Sequence, residues 1–278
     1  MRLHWPKSAS IFGSSLSAVP HPDQPVLLRE DRDGICTLTF NRPQQMNLLT
    51  GEMLAALQKE FESLKNDRKT RVVILAASGK GFSAGHDLKE IKALKELPKI
   101  EALFNQCSRM MQTIPLLPQP VIAKVQGVAA AAGCQLVAQC DLAIAAEGTR
   151  FVTSGVTWGF FCSTPGVAVG RNLQRKHAME MLLTGEPISA QQAMEWGLVN
   201  RVVPAQQLDA EVQKLAATIA AKPPATVAAG KRAFYQQMDL GLEQAYALAS
   251  GVISASFAHD EGRAGMDAFI EKRPPPKH

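Results

Sequence analysis

Two segments rich in glycine and alanine are the first candidates for a chemical site. They are Gly81–Glu90 (GFSAGHDLKE) and Gly127–Leu136 (GVAAAAGCQL). Small side chains let backbone amides approach a ligand, and the start of a helix adds free N–H groups and a positive dipole end. Two such N–H groups aimed at one point form an oxyanion hole, which stabilises negative charge on a carbonyl oxygen. The alternative is that these runs only allow helices to pack closely.

The elements around these segments predict an α/β domain. The apolar runs Val72–Ala77 and Pro120–Val125 precede the two segments and are typical of buried parallel strands. Two β-rich runs within Val26–Phe40 flank a short turn and predict a hairpin, and Leu142–Ala146 predicts a further strand. Gly127–Cys140 is expected to be a tightly packed helix. Strands that alternate with helices indicate crossover connections.

The pattern changes to amphipathic helices near residue 200. The helices are expected at Ala205–Ala221, Ala225–Met238, Leu242–Ala258 and Glu261–Lys272. We therefore divide the chain into a flexible extension (1–24), a core that binds the ligand (25–200) and a C-terminal helical region (201–278). The helical region is expected to pack on the core or on a neighbouring subunit.

The composition excludes several classes of protein. The chain has 278 residues, 46% of them hydrophobic, and its 30 basic and 25 acidic residues give a net charge of +5. These charges are scattered, so nucleic acid is not an expected partner. The five cysteines have no metal-ligand spacing, so we expect reduced, buried thiols and no metal. No stretch approaches the roughly 20 apolar residues that a membrane-spanning helix needs.

The first residues have no clear targeting signal. Residues 1–22 contain only two basic residues, Arg2 and Lys7, and no continuous apolar core. A secretory signal is therefore not expected, and the arginines are too few for a transit peptide. The expected location is the cytoplasm, with the mitochondrial matrix as the alternative.

In their order along the chain, the two segments resemble the crotonase (enoyl-CoA hydratase/isomerase) superfamily. The resemblance covers nearly the whole chain from about Val26 and rests on several ordered motifs. They are Asn41-Arg42-Pro43, the SAGHDL loop, the small-residue helix before Cys140-Asp141, Thr184–Ala190, Gly197-Leu198-Val199 and Phe269–Arg273. The run Gly159–Val167 is similar to one branch of the superfamily, the enoyl-CoA hydratase domain-containing protein 3 branch.

The resemblance implies a fold, a substrate and a set of site residues. The fold is the crotonase (ClpP-like) fold of repeated ββα units with a C-terminal trimerisation region, commonly assembled as homotrimers or hexamers. The substrate is an acyl-coenzyme A (acyl-CoA) thioester, and no other cofactor is implied. The backbone N–H groups of His86 and Ala132 would hold the thioester carbonyl. The residues implied to line or cover the coenzyme A channel are Ala84, Asp87, Leu88, Lys89, Phe269 and Lys272.

The sequence departs from the family at the positions that perform the chemistry. Gln135 and Gly155 replace the two glutamates of a hydratase, and Ser163 stands where some relatives keep an aspartate. A glutamine amide binds water but cannot exchange a proton near neutral pH, and glycine offers no group. Ala132 replaces a usual glycine, which keeps the N–H but disfavours a positive φ. A hydratase reaction is therefore expected to be weak or absent.

Three interpretations of this site stay open. The first is an enzyme of the lyase or isomerase class that binds acyl-CoA and polarises its carbonyl, with an unnamed reaction. The second is a working hydratase that uses substitutes such as the His86 imidazole or a water held by Gln135. The third is a non-catalytic acyl-CoA sensor or regulatory subunit. Cys162 and Ser163 are candidate nucleophiles, but no histidine or aspartate partner is apparent, so a packing role is favoured.

Overall fold

The computed structural model describes residues 24–276. Nearly all of the expected N-terminal extension, residues 1–24, lies outside this range.

Strands and helices alternate through the first two thirds of the chain. The strands of the described range are β1 (Leu27–Arg32), β2 (Ile35–Phe40), β3 (Val72–Ala77), β4 (Val121–Val125), β5 (Val128–Ala130), β6 (Leu142–Ala146), β7 (Arg150–Val152), β8 (Ile188–Ser189) and β9 (Arg201–Val203). The helices are α1 (Gly51–Lys65), α2 (Leu88–Leu94), α3 (Leu97–Leu116), α4 (Ala132–Gln139), α5 (Ser163–Asn172), α6 (Arg175–Thr184), α7 (Ala190–Glu195), α8 (Leu208–Ala220), α9 (Pro224–Gln237), α10 (Leu242–Ala258) and α11 (Asp260–Ile270).

The predicted hairpin is confirmed. Strand β1 pairs antiparallel with β2, and Arg32 lies opposite Ile35. The two residues between the strands, Asp33 and Gly34, have φ angles of 52° and 77°. Positive φ at both positions is the requirement of a type I′ turn, and an Asp-Gly pair meets it.

A six-stranded sheet forms the centre of the domain. Its strand order is β1-β2-β3-β4-β6-β9, and every pairing after the hairpin is parallel. The predicted strand β3 is buried along its whole length, because apolar side chains cover both faces of the sheet. On one face α8 contributes Leu208, Val212 and Ala216. The other face packs against a larger cluster that includes α1, α3 and α4.

A second sheet makes the repeated ββα units visible. Strands β5, β7 and β8 form a three-stranded sheet, and Ser83 adds an isolated parallel bridge to Ala129. Each unit leaves the main sheet, contributes a short segment to the second sheet and enters a helix. The successive units are β3–Ser83–α2, β4–β5–α4 and β6–β7–α5. The α/β crotonase architecture that the sequence predicts is confirmed.

A buried polar cluster attaches helix α9 to the core. Lys231 Nζ lies 2.6 Å from Asp141 Oδ2, and its side chain is 6% exposed. It also donates to the carbonyls of Ile114 and Gln119, while the Tyr235 hydroxyl donates to Asp141 Oδ1 at 2.8 Å. The charge on Lys231 is thus compensated by an ion pair and two carbonyl oxygens, which a buried ammonium requires.

Two features differ from the predicted organisation. Residues 201–220 belong to the core by packing, because β9 pairs with β6 and α8 covers the main sheet. We therefore place the start of the helical extension at Pro224 rather than at residue 201. The segment Gly127–Cys140 is not one helix: its first part is strand β5, and α4 begins only at Ala132.

Candidate oxyanion site

The two glycine- and alanine-rich loops lie against each other at the carboxyl ends of β3 and β4. The N–H groups of Phe82 and Ser83 donate to the Val128 carbonyl at 3.0 and 3.1 Å, and Ala130 N–H donates back to Ser83 at 2.8 Å. The sequence predicts that each loop follows a strand, but the hydrogen bonds that align the two loops involve backbone groups and could not be read from side-chain types.

Ser83 and Asn47 hold the first loop from inside. The Ser83 hydroxyl donates to the Asn47 carbonyl at 2.8 Å and accepts from Gly85 N–H at 3.2 Å. The Asn47 amide donates to the carbonyls of Ser78 and Gly81 at 2.9 and 3.0 Å. Both polar side chains are 0% exposed. Polar residues near apolar segments are the only signal of this support in the amino-acid sequence.

The two loops approach each other closely at Gly85. Its φ is +88°, and a Cβ there would lie 2.9 Å from the Ala130 carbonyl oxygen and 3.2 Å from Ala132 N. The residue after Gly85 is His86, so the N–H groups of His86 and Ala132 belong to touching segments. Within residues 24–276 neither N–H donates a hydrogen bond. Free donors on two adjacent rigid segments are what an oxyanion hole requires.

The strained backbone position of the second loop is Ala131 rather than Ala132. Ala131 has φ 47° and ψ −114°, whereas Ala132 is the first residue of α4 and is 1% exposed. The expectation that a positive φ burdens Ala132 is therefore wrong. A residue at the start of a helix needs only ordinary helical φ, so Ala132 presents its N–H without strain.

The His86 side chain points into the protein. Its Nδ1 lies 3.0 Å from the Leu49 carbonyl, and its ring meets Phe104 edge-on at 5.1 Å between centroids. A carbonyl only accepts, so Nδ1 carries the hydrogen in this contact. Burial lowers the pKa of His86, and the bond to Leu49 partly offsets this. Nε2 is buried and has no partner among the described residues.

Gln135 lies one turn into α4 and faces the interior. The residue is 4% exposed, and its Oε1 is buried without a hydrogen-bond donor within residues 24–276. A native protein rarely leaves a buried amide oxygen unpaired, because the lost hydration costs about 1–3 kcal/mol. A water or ligand group next to Gln135 would satisfy it.

The space around Gly155 is filled by its own loop. A Cβ on Gly155 would lie 2.6 Å from the Phe160 carbonyl oxygen and 2.8 Å from Cys162 Sγ. Gly155 N–H also donates to Cys162 Sγ at 3.3 Å. A glutamate cannot enter this position without displacing backbone, so the absence of the second acid is built into the loop.

The candidate nucleophiles in this loop are poorly suited to attack. Burial raises the pKa of Cys162, so its thiol stays protonated at neutral pH. The Ser163 hydroxyl is exposed and makes only a long contact, 3.4 Å, to the Phe161 carbonyl. Burial also raises the pKa of Cys134, to about 12. The packing role expected for the cysteines agrees with these surroundings.

The residues expected to line the coenzyme A channel fall into two groups. Ala84, Asp87, Leu88 and Lys89 lie together in the first loop and the start of α2, where Asp87 accepts from Lys89 N–H at 2.8 Å as the helix N-cap. Phe269, by contrast, is 86% exposed near the end of α11. Lys272, three residues further along the chain, is also exposed.

Metal sites and membrane spans were both searched for in the described residues. Residues 24–276 contain no group of three or more histidine, cysteine or carboxylate side chains that could hold a metal ion. No helix in this range is long and apolar enough to cross a membrane.

Comparison with known proteins identifies the family. The family model described as enoyl-CoA hydratase/isomerase matches residues 30–277. A Xenopus laevis relative, enoyl-CoA hydratase domain-containing protein 3, mitochondrial, is 46% identical over 266 residues, covering 96% of this chain and 90% of the relative. This agrees with the branch that Gly159–Val167 resembles.

Solved structures agree with this similarity. The crystal structure of human enoyl-CoA hydratase domain-containing protein 3 matches with a TM-score of 0.88 and 42% identity over 91% of this chain and 100% of that one. An enoyl-CoA hydratase from Mycobacterium smegmatis matches with a TM-score of 0.89 and 50% identity over 91% and 99% of the two chains. The chain belongs to the enoyl-CoA hydratase/isomerase, or crotonase, family.

Proposed function

We propose that this protein binds acyl-CoA thioesters and polarises their carbonyl group with the backbone N–H groups of His86 and Ala132. The observation that carries the proposal is the contact at Gly85, which brings two free N–H donors together on segments fixed by Ser83. Donors held in place before a substrate arrives cost no reorganisation when negative charge develops on its oxygen. The chemistry then belongs to fatty acyl-CoA metabolism and needs no cofactor beyond the coenzyme A of the substrate.

The same site argues against efficient hydration of enoyl-CoA. Each positioned acid or base contributes roughly 10²–10⁴-fold to a reaction rate. Gln135 cannot transfer a proton, and Gly155 has no room for a side chain that could. We therefore propose a reaction at the polarised thioester that does not depend on the family's pair of glutamates, in the lyase or isomerase class.

Two measurements test this proposal. Calorimetric titration with a non-hydrolysable acyl-CoA thioether is expected to give saturable binding at one site per chain. Incubation with saturated, unsaturated and hydroxylated acyl-CoAs, followed by mass spectrometry, then identifies any substrate that is turned over. Absence of binding across several chain lengths would refute the proposal, and binding without turnover of any thioester would favour the acyl-CoA sensor.

The second candidate is a working hydratase in which His86 replaces the missing acids. Its support is Nε2, which is neutral, buried and without a partner, and therefore available as a base. Replacing His86 with asparagine keeps the backbone N–H and a donor toward Leu49 but removes the base. If this candidate holds, H86N loses crotonyl-CoA hydration and retains acyl-CoA binding.

We propose that the active form is a homotrimer, alone or paired into a hexamer. Helix α10 has no buried residue in the single chain, and it carries exposed Tyr246, Ile253 and Phe257. Apolar surface of this kind needs a covering partner. In such an assembly Phe269 and Lys272 would cover the coenzyme A channel of a neighbouring subunit.

The mitochondrial matrix is the proposed location, in place of the cytoplasm that the sequence favours. The names of the frog, rat and human relatives include the word mitochondrial, and none of these names supports a cytoplasmic protein. Expression of the full chain with a C-terminal fluorescent tag tests this: the tag is expected with a matrix marker, and a diffuse cytoplasmic signal would contradict it.

A further inference from the structure

A cationic cavity lies at the end of the main sheet opposite the candidate oxyanion site. Its volume is about 280 Å³, and Arg71 and Gln119 are among the residues that line it. Arg71 comes directly before β3, and Gln119 lies two residues before β4, whereas the oxyanion loops follow these strands. A six-residue strand spans about 20 Å, so the two sites are separated by roughly that distance.

The charges around this cavity are mostly positive. Four cations and one acid line it, namely Lys65, Arg68, Arg71, Lys222 and Asp67. The Asp67 carboxylate is already engaged by the Thr70 hydroxyl at 2.7 Å and by Lys69 N–H at 2.8 Å. Within residues 24–276, Arg68, Arg71 and Lys222 form no ion pair with an acid.

Two of the residues that line the cavity also have a buried polar atom that lacks a partner in the described part of the chain. Arg71 Nη1 has no acceptor and Gln119 Oε1 has no donor. The Gln119 amide orientation is fixed, because its nitrogen donates to the carbonyls of Leu64 and Asp67 at 2.8 and 3.1 Å. Gln119 is 3% exposed, so leaving its oxygen unpaired is unfavourable.

Helix α9 adds a further positive end to the same cavity. The helix has 14 residues and begins with Pro224, and Ala225 of its first turn lines the cavity. Free N–H groups and the positive dipole end of a helix start favour an anion. The residues around the cavity therefore offer cations, a helix start and one buried acceptor that lacks a donor.

We propose that this cavity binds a small phosphate-class anion that carries a hydroxyl group. Its anionic oxygens accept from Arg71, Arg68 and Lys222, and its hydroxyl donates to Gln119 Oε1. Hydrogenphosphate and a hydroxylated phosphate monoester both have this chemistry. The cavity is lined by the end of α1, the residues before β3 and β4, the end of α8 and the start of α9. A bound anion would therefore connect the helical extension to the core.

The test is calorimetric titration of the full chain in phosphate-free buffer at constant ionic strength. Sodium phosphate and glycerol 3-phosphate are the two probes, and tighter binding of one identifies the source of the anion. Sulfate has the same shape as phosphate but no hydroxyl at neutral pH, so it is expected to bind about tenfold more weakly. Saturation with the acyl-CoA thioether is expected to leave phosphate binding unchanged.

Three variants tie the binding to this cavity. R71Q and K222Q each remove one cation and are expected to weaken phosphate binding about tenfold. K69Q removes a neighbouring exposed cation that does not line the cavity and serves as the matched control. K222Q changes an exposed residue, so it keeps the test valid if R71Q folds poorly.

Several results would overturn the proposal. They are no saturable heat with either phosphate probe, equal affinity for sulfate and phosphate, or equal effects of K222Q and K69Q. Loss of phosphate binding in the presence of the acyl-CoA analogue would assign the anion to the coenzyme A site instead. None of these results depends on whether the protein turns over a thioester, so they test the anion site independently of the proposed function.

Discussion

At the scale of single residues, the site is defined by what small residues permit. Gly85 lets two loops touch, Ala132 starts a helix with a free N–H, and Gly155 accommodates the Phe160 carbonyl. The glycine- and alanine-rich composition indicated two loops with accessible backbone amides, but it did not indicate that the helix starts at Ala132. It could not indicate the crowding at Gly155 either, because the approach of Phe160 depends on how the loop closes rather than on residue type.

The crowding at Gly155 predicts that glutamate is not tolerated there. G155E is expected to destabilise the protein by about 1–3 kcal/mol, because backbone must move to admit a side chain. G170E is the matched control, since nothing lies within 4 Å of a Cβ on Gly170 of α5. Thermal unfolding compares the two; equal transition temperatures would show that the loop adapts freely.

The crowding at Gly155 also limits how far hydration can be restored. Replacing both Gln135 and Gly155 with glutamate would supply the family's acids, but only if the second carboxylate fits. We expect Q135E alone, and the folded fraction of the double variant, to gain little crotonyl-CoA hydration, measured as loss of enoyl absorbance. A large gain in the double variant would contradict the geometry at Phe160.

His86 predicts a pH dependence of stability. Its pKa is lowered in the folded protein by burial, while in the unfolded chain it stays near 6.5. The unfolded state therefore binds the proton first as pH falls, and stability present above pH about 6.5 is lost below it. Urea unfolding at pH 7 and pH 5 is expected to show a larger loss for the wild type than for H86N. An equal loss in both proteins would rule out this origin.

At the scale of elements, the long and periodic segments were predictable and the short ones were not. The spacing of its apolar residues predicts helix α1. The helix begins after Thr50, whose hydroxyl accepts from Met53 N–H as the N-cap. Strand β5 was missed because its three small residues continue into a helix of similar composition. It forms a strand because it pairs with β7. This contact joins residues that are distant in the sequence, so local residue types do not reveal it.

The link between α9 and the core predicts a large effect of one lysine. K231M removes the charge that faces Asp141 and leaves a buried carboxylate without its cation, which is expected to cost about 3–5 kcal/mol. K99M is the control, because Lys99 pairs with Glu96 at the surface, where such a change costs about 0–1 kcal/mol. Urea unfolding measures both; similar small losses would mean that Lys231 is not essential for docking α9.

At the scale of the whole molecule, the fold was predictable and the assembly stays a prediction. The strand and helix order, together with the motifs, specified the α/β crotonase architecture. The proposed assembly rests on the exposed apolar side chains of α10, which do not specify how many chains come together.

Light scattering tests the assembly. The particles in solution are expected to have three or six times the chain mass of 30.0 kDa. The reason is that contact with other chains would bury the exposed apolar side chains of α10. F257E places a charge on that face and is expected to produce smaller species, whereas Q191E, at an exposed position of α7, is not. A monomeric wild type at micromolar concentration would contradict the trimer and the proposed role of Phe269.

The measurement that tests the central claim most directly is the infrared carbonyl stretch of a ¹³C-labelled acyl-CoA thioester bound to the protein. Two N–H donors on the oxygen weaken the C=O bond, so the stretch is expected to move to lower frequency on binding. A132G keeps the N–H and should retain the full shift. A132P removes the N–H and should reduce the shift, with folding checked by its thermal transition. A bound thioester with an unshifted carbonyl in the wild type would contradict the account.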